Sequence, residues 1–269
     1  MPVERLQRII ARSGLCSRRE ADDLIREGRV SLNDAVARLG DKADAERDAV
    51  TVDGQRIKPP QATRYILLYK PRQVMSTCSD PEGRPTVVDL VRPAVRERVF
   101  PIGRLDYHSE GLIILTSDGE LAERVAHPRY GMVREYRVKL RGDLSEGERR
   151  KLMKGASLEG HLVRPLKAWR ESRTAQGGAT WWRIQLGEGR SHEVRELFFR
   201  AGHPVQRLRR MAIGPIRDDA MKPGEFRQLT EDEVQALLRP PGRTPAGPQA
   251  AARPKRQRMR SKFKKLPEK

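Results

Sequence analysis

The sequence has few cysteines and few histidines. Its 269 residues include two cysteines, Cys16 and Cys78, and neither has a second cysteine or a histidine at a metal-binding spacing. This excludes a disulfide framework and a structural zinc site as the basis of the fold. The five histidines also lack the spacing of metal ligands, so no metal site is expected.

Long apolar segments are absent as well. The longest apolar runs, at Tyr65–Tyr69 and Leu112–Leu115, are far shorter than the roughly 20 residues of a membrane-spanning helix. The first ten residues lack the charged head and apolar run of an export signal. We therefore expect a cytoplasmic protein that makes no membrane contact.

Acidic residues are too few to balance the basic ones. The chain has 55 Lys and Arg against 36 Asp and Glu, a formal net charge of +19. Such a surplus attracts polyanions and gains from counterion release on contact, which favours nucleic acid as the partner. A basic membrane-surface protein is the alternative, but the sequence contains no long basic amphipathic helix.

The chain divides into three predicted segments. Residues 1–60 are typical of a small αα-β domain, with a capping box at Ser17–Glu20 and a Pro-Pro pair at its end. Residues 61–239 alternate strands and short helices. Residues 239–269 hold eleven Lys and Arg and one Glu, so 240–269 is predicted to be a disordered basic tail that adds RNA affinity or solubility.

The second segment is predicted to be an α+β domain with a mixed, mainly antiparallel sheet. Apolar residues alternate along 134–140 and again along 182–186, as they do in a strand with one buried face. Further capping boxes at Ser145–Glu148 and Thr230–Glu233 each predict the start of a short helix.

Asp106 is the first candidate for chemistry. It stands in the string GRLDYHSEGLIILTSDGELA, between a Gly-flanked Arg-Leu pair and an irregular loop that precedes a buried strand. Such a carboxylate can face a cleft, although most loop aspartates form turns or are solvated.

Several motifs, in order along the chain, resemble one family. RLQRIIARSGLCSRREADDLIREGRVSLN is similar to an S4 RNA-binding domain, and the Asp106 string resembles the motif that holds the nucleophilic aspartate of pseudouridine synthases. Lys70-Pro71, GRSHEVRELFF and the closing PGEFRQLT extend the likeness to the RsuA/RluB family of ribosomal-RNA pseudouridine synthases, and most to its large-subunit members. One departure is Gln73, where a glycine is usual.

The resemblance implies roles for individual residues. Asp106 would be the catalytic aspartate, and Arg195 the arginine that pairs with it. Tyr136 would stack on the target base. Apart from the resemblance, Arg104 stands two residues before Asp106, where it could hold open the gap that an extruded base leaves or else contact a phosphate. The family's chemistry detaches uracil, rotates it and rejoins it through carbon, and it needs no cofactor.

Further arginines are expected to contact RNA, although a solvated basic surface is the default reading for any one of them. In the first domain these are Arg5, Arg8, Arg12, Arg18 and Arg19. In the second they are Arg190, Arg207, Arg209 and Arg210, which should line the RNA-binding groove.

The resulting hypothesis is a monomeric enzyme that isomerises a uridine of ribosomal RNA, with large-subunit (23S) RNA favoured over small-subunit (16S) RNA. One alternative is a non-catalytic S4 protein that binds ribosomal RNA as an assembly factor. Another is a metal-dependent nuclease that uses Asp106 and Asp118, although Asp118 lies in a Ser-Asp-Gly turn without an acidic cluster.

Overall fold

The computed structural model describes residues 3–173, 179–189, 192–239 and 257–258. The chain forms two compact units, residues 1–63 and 64–269. Our segment limits of 1–60, 61–239 and 240–269 stay predictions. None of the helices in the described ranges is long and apolar enough to cross a bilayer.

The first unit consists of two short helices and small antiparallel strands. Its elements are β1 (Glu4–Arg5), α1 (Leu6–Arg12), α2 (Arg18–Arg26), β2 (Val30–Leu32), β3 (Ala35–Val36), β4 (Lys42–Ala43), β5 (Val50–Val52) and β6 (Gln55–Arg56). The capping box predicted at α2 is present, with Ser17 and Glu20 each accepting the other's backbone N–H. The apolar stripes of both helices pack with Val30, Val50 and Val52 in one core.

The second unit is larger and contains the long strands. Its elements are β7 (Tyr65–Lys70), α3 (Val87–Val91), β8 (Phe100–Ile102), β9 (Glu110–Thr116), α4 (Gly119–Ala126), a 3-10 turn (Pro128–Tyr130), β10 (Arg134–Arg141), α5 (Glu146–Lys154), β11 (Ala156–Leu158), β12 (His161–Val163), β13 (Lys167–Arg173), β14 (Ala179–Leu186), α6 (Glu193–Arg200), β15 (Val205–Ile213), β16 (Ile216–Arg217), β17 (Glu225–Gln228), α7 (Glu231–Leu238) and β18 (Gln257–Arg258). The capping boxes predicted before α5 and α7 are both formed.

These strands build one sheet in the order β13-β14-β10-β15-β9-β7-β17-β18, with β16 paired to β15 and β8 to β9. Only β15 and β9 run parallel among the described pairs, so the predicted α+β fold with a mixed, mainly antiparallel sheet is confirmed. Of the predicted tail, Gln257 and Arg258 pair with β17, and its other residues lie outside the described part.

The alternation predicted along β10 and β14 decides which face of the sheet is buried. Tyr136, Val138 and Leu140 share a core with the even-numbered residues of β14, such as Ile184. Side chains of α5, α6 and the β11–β12 hairpin complete this core. The face that carries Tyr136 is therefore covered by helices, and α6 brings its own residues to that face.

A buried ion-pair cluster fixes the end of the sheet to α7. Arg227 is fully buried and contacts Asp218 at 2.9 Å and Glu233 at 2.7 Å. Glu233 also completes the capping box of α7. Asp218 is buried too, so the Arg227 guanidinium compensates for its desolvation.

We predict that Arg227→Met lowers the free energy of unfolding by about 3–5 kcal/mol, because it leaves a buried carboxylate without its cation. Urea denaturation measures this loss. Arg149→Met is the control, since it removes an exposed helical ion pair with Glu146 and should cost less than about 1 kcal/mol. Equal losses in the two variants would contradict the assignment.

Candidate active site

The loop between β8 and β9 carries Asp106. Leu105, the preceding residue, is buried and exchanges two hydrogen bonds with the Ser76 hydroxyl, which accepts from the Leu105 N–H at 3.1 Å and donates to its carbonyl at 2.8 Å. This anchor fixes the backbone one residue before the carboxylate. The Asp106 side chain is 25% exposed, so it is both held by the protein and open to a ligand.

Three groups surround the Asp106 carboxylate. Arg195 Nε lies 3.5 Å from Oδ2, and His192 Nδ1 lies 3.5 Å from Oδ1. The Ser109 hydroxyl donates to Oδ2 at 3.2 Å and lies 3.3 Å from Arg195 Nη2, which donates to it. The structure thus brings together Asp106 and Arg195, the pair expected from the sequence.

Arg195 is also held by the first residue of β15. A third guanidinium nitrogen, Nη1, donates to the Val205 carbonyl at 3.2 Å, and Val194 and Leu197 pack α6 into the core. His192 precedes α6 in the left-handed conformation, with φ of 57°. That conformation is uncommon for a residue with a Cβ and is typical of constrained functional positions.

A buried lysine lies beneath the loop. Lys70, at the end of β7, is fully buried, and its Nζ donates to the carbonyl oxygens of Ser109 at 2.9 Å and of Asp106 and Pro71 at 3.1 Å. Burial lowers the pKa of Lys70 to about 7, and the nearby Asp106 charge opposes this shift. Lys70 therefore fixes the backbone of Asp106 itself.

A buried arginine holds the two ends of the same loop. Arg210 on β15 is 2% exposed, and it donates to the carbonyls of Leu112 at 2.7 Å and Arg104 at 3.3 Å. Gly111 has φ of 117°, and a Cβ there would lie 2.3 Å from the Arg210 carbonyl oxygen. Only glycine permits this close approach of the loop to β15.

Gln73 occupies a backbone position that favours glycine, the residue that the resemblance led us to expect there. Its φ is 61°, in the left-handed region, and its N–H donates to the Tyr107 carbonyl at 2.7 Å. The glutamine therefore keeps the geometry and the support of the Asp106 loop, at a cost of roughly 1–2 kcal/mol in strain.

Tyr136 lies on the same side of the sheet as Arg210, which is its neighbour on β15. Its ring is 6% exposed and packs in the core that contains Leu105 and Val194, each next in sequence to Asp106 or Arg195. The Tyr136 hydroxyl makes no hydrogen bond within the described ranges. Tyr136 thus shares a core with one sequence neighbour of Asp106 and one of Arg195.

The residues expected to contact RNA in the second unit differ in their exposure and in their partners. Arg104 is exposed two residues before Asp106, and Arg190 lies outside the described residues. Arg207 is exposed, and Arg209 pairs with Glu110. The expectation that Arg210 lines a groove together with Arg207 and Arg209 is wrong. Alternation along β15 places Arg210 on the face opposite to theirs, and there it is buried.

The arginines of the first unit are partly neutralised. Arg5, Arg18 and Arg19 are exposed. Arg8 and Arg12 both pair with Glu4, at 3.5 Å and 2.8 Å. The capping box of α2 uses the Ser17 and Glu20 N–H groups internally, so these amides are not available to phosphate.

Sequence reasoning did not identify the contacts of His192, Ser109 and Lys70. The spacing offered one signal: His192 lies three residues before Arg195, which places both near one face of α6. The role of Asp118 is also clear, because its carboxylate caps α4 and accepts from the Tyr65 hydroxyl at 2.8 Å. No group of three or more possible metal ligands occurs among the residues that the structure describes.

Comparison with known proteins gives consistent matches over both units. A family model described as RNA pseudouridylate synthase matches residues 64–199, and an S4 domain model matches residues 4–48. An RNA pseudouridine synthase of Aquifex aeolicus is 40% identical over 242 residues, covering 88% of this chain and 95% of the relative.

Two further relatives are named ribosomal large subunit pseudouridine synthase B. The one from Pseudomonas aeruginosa is 38% identical and covers 97% of this chain and 70% of the relative. The one from Bacillus subtilis is 37% identical and covers 87% and 96%. A crystal structure of a pseudouridylate synthase superposes with a TM-score of 0.60 at 25% identity, covering 87% of this chain and 99% of that one.

The lysine beneath the loop gives a test of the site's electrostatics. The pKa of Lys70 is lowered to about 7 by burial, against roughly 10.4 in an unfolded chain. Between these values the unfolded state binds more protons, so stability should rise with pH in that window. We predict that wild-type protein gains stability from pH 7 to pH 10 relative to Lys70→Met.

Urea denaturation of both proteins at several pH values measures this difference, in which the other titrating groups cancel. Parallel stability curves for the two proteins would show that Lys70 titrates at its ordinary pKa in the folded state.

Proposed function

The chain belongs to the RNA pseudouridylate synthase family and carries an S4 domain, and from this we propose that it isomerises a uridine of ribosomal RNA to pseudouridine at Asp106. The observation that carries the proposal is the Asp106 carboxylate, partly exposed and 3.5 Å from the Arg195 guanidinium. The family expected from the sequence motifs is confirmed by the family model and by the relatives named synthase B.

The reaction needs one carboxylate facing the ribose of an extruded nucleotide. The bond between N1 of uracil and the anomeric carbon breaks, the base rotates, and C5 bonds to that carbon while its proton passes to solvent and N1 becomes protonated. Asp106 either attacks the anomeric carbon or removes a proton from the ribose, and both routes require its ionised form. Arg195 and the Ser109 hydroxyl both contact Oδ2 of this carboxylate.

Tyr136 and Arg104 are proposed to hold the nucleotide. The Tyr136 ring belongs to the same core as Leu105, and it would form the apolar wall against which a base stacks. Arg104 is exposed two residues from Asp106 and can occupy the gap left in the RNA stem. Extrusion of a base costs a few kcal/mol, which such contacts offset.

The substrate is proposed to be large-subunit ribosomal RNA, as in the names of the Pseudomonas aeruginosa and Bacillus subtilis relatives. The exposed arginines of the S4 domain would bind its phosphates. We place the protein in the cytoplasm as a monomer. The alternatives are a 16S RNA substrate and a non-catalytic assembly factor, and only the assembly factor has no need for the paired carboxylate.

We predict that Asp106→Asn reduces pseudouridine formation by a factor of about 10⁴ or more, because the substitution removes the reacting carboxylate. RNA affinity should stay within about twofold, because no phosphate contact is lost. Pseudouridine mapping on ribosomal RNA measures the activity, and filter binding measures the affinity.

Asp118→Asn is the matched control, since it makes the same chemical change 12 residues away at a helix cap that asparagine also supports. It should retain activity, and activity in EDTA should also persist. An active Asp106→Asn protein would refute the catalytic assignment and leave the assembly-factor alternative.

We further predict that Arg195→Met lowers kcat by about 10²–10³-fold with little change in KM, because the ion pair acts on the reacting carboxylate. Arg195→Lys should recover part of the loss, since an ammonium can replace the charge but not all three contacts. Single-turnover pseudouridine formation measures both variants. Equal activity of the Met and Lys variants would exclude an electrostatic role.

A further inference from the structure

One face of the sheet bears a group of cations that the catalytic site does not use. We call the side of β14, β10 and β15 opposite Tyr136 the outer face. By strand alternation it carries Arg137, Lys139 and Arg141 on β10, and the paired residues of β14 and β15 lie beside them. Arg207 and Arg141 are exposed, and Lys139 is partly exposed.

The first row across this face is neutralised. Arg137 lies between Arg183 on β14 and Arg209 on β15, and like charges in directly opposite positions destabilise a sheet. Carboxylates compensate for this repulsion. Glu171 pairs with both Arg137 and Arg183, and Glu110 pairs with Arg209.

The second row is different. Lys139 lies directly between Trp181 on β14 and Arg207 on β15. Neither Lys139 nor Arg207 forms an ion pair with any residue in the described ranges, and neither does Arg141, two positions further along β10. Lys139 and Arg207 therefore lie opposite each other on adjacent strands with no carboxylate paired to either. Such a pair lowers the stability of the sheet unless an external anion compensates for the repulsion.

The tryptophan in this row is contacted by two guanidinium groups. The Arg137 guanidinium lies 4.3 Å from the centre of the Trp181 ring, and that of Arg209 lies 5.4 Å away. Trp181 is partly exposed, whereas Trp182, the next residue, is buried in the core. An oriented indole beside unpaired cations is the arrangement that binds single-stranded nucleic acid, with a base on the ring and phosphates on the cations.

We propose that the outer face is a second RNA-binding surface, on which Lys139, Arg141 and Arg207 bind phosphates and Trp181 stacks on an unpaired base. This rests on the proposed function, since the RNA would be the same substrate. The outer face and the Tyr136 face are opposite sides of one sheet, so a single stem cannot contact both. The surface would bind a different segment of the RNA from the one that carries the target uridine.

The test compares two double variants that each remove two positive charges. Lys139→Gln/Arg207→Gln alters the outer face, and Arg150→Gln/Lys151→Gln alters two exposed cations of α5. Affinity for a protein-free large-subunit ribosomal RNA transcript is measured at several KCl concentrations, together with KM and kcat for pseudouridine formation.

The outer-face variant should reduce the slope of log affinity against log salt by about 1.5, the value for two lost phosphate contacts. Its KM should rise about tenfold while kcat changes by less than about twofold. Trp181→Leu should weaken binding about tenfold without altering the slope, because stacking releases no counterions. The α5 variant should keep the wild-type slope and KM.

Identical salt slopes and KM values for the two double variants would overturn the proposal. So would an affinity loss of the outer-face variant for ribosomal particles but not for naked RNA, since that would indicate a protein partner. A kcat loss at constant KM would also overturn it. Failure of the proposed function is a separate result, because the wild type would then form no pseudouridine while the binding comparison still reports on the outer face.

Discussion

The proposed active site depends on two buried basic side chains that hold one loop by its carbonyl oxygens. Lys70 binds the backbone of Asp106 and Ser109, and Arg210 binds that of Arg104 and Leu112. A loop near the core needs partners for its polar backbone, and a buried cation needs acceptors. The carbonyl oxygens of the loop accept hydrogen bonds from the buried cations, so both kinds of group are satisfied. The loop is therefore fixed before any substrate binds, as preorganised catalysis requires.

The same cations set the electrostatic character of the site. Lys70 and Arg210 contact the backbone of the loop, and Arg195 lies beside the Asp106 carboxylate. Burial lowers the pKa of Lys70 to about 7, and the charges of Asp106 and Glu110 oppose this shift. Cations in these positions attract an approaching phosphate backbone.

The sequence predicted the local features well and the long-range ones poorly. Helix starts at Ser17, Ser145 and Thr230 follow from capping chemistry within four residues, and the buried side of β10 follows from alternation. The pairing of Asp106 with Arg195 came from family resemblance, since these residues are far apart in the chain. Strand order, and with it the burial of Arg210, depends on contacts between distant segments that no local pattern encodes.

Strand β15 shows why a run of arginines is a poor guide to a binding groove. A strand sends neighbouring side chains to opposite faces, so Arg209 and Arg210 meet different partners, a carboxylate and two carbonyls. The pairing of β10 with β15 shifts register beside Tyr136, where Met211 is an extra residue in β15. Such a bulge changes the direction of the side chains around it. Strand β15 therefore supports the Asp106 loop on one face and presents cations on the other. Because both features belong to one strand, RNA bound to these cations would have a fixed position relative to Asp106.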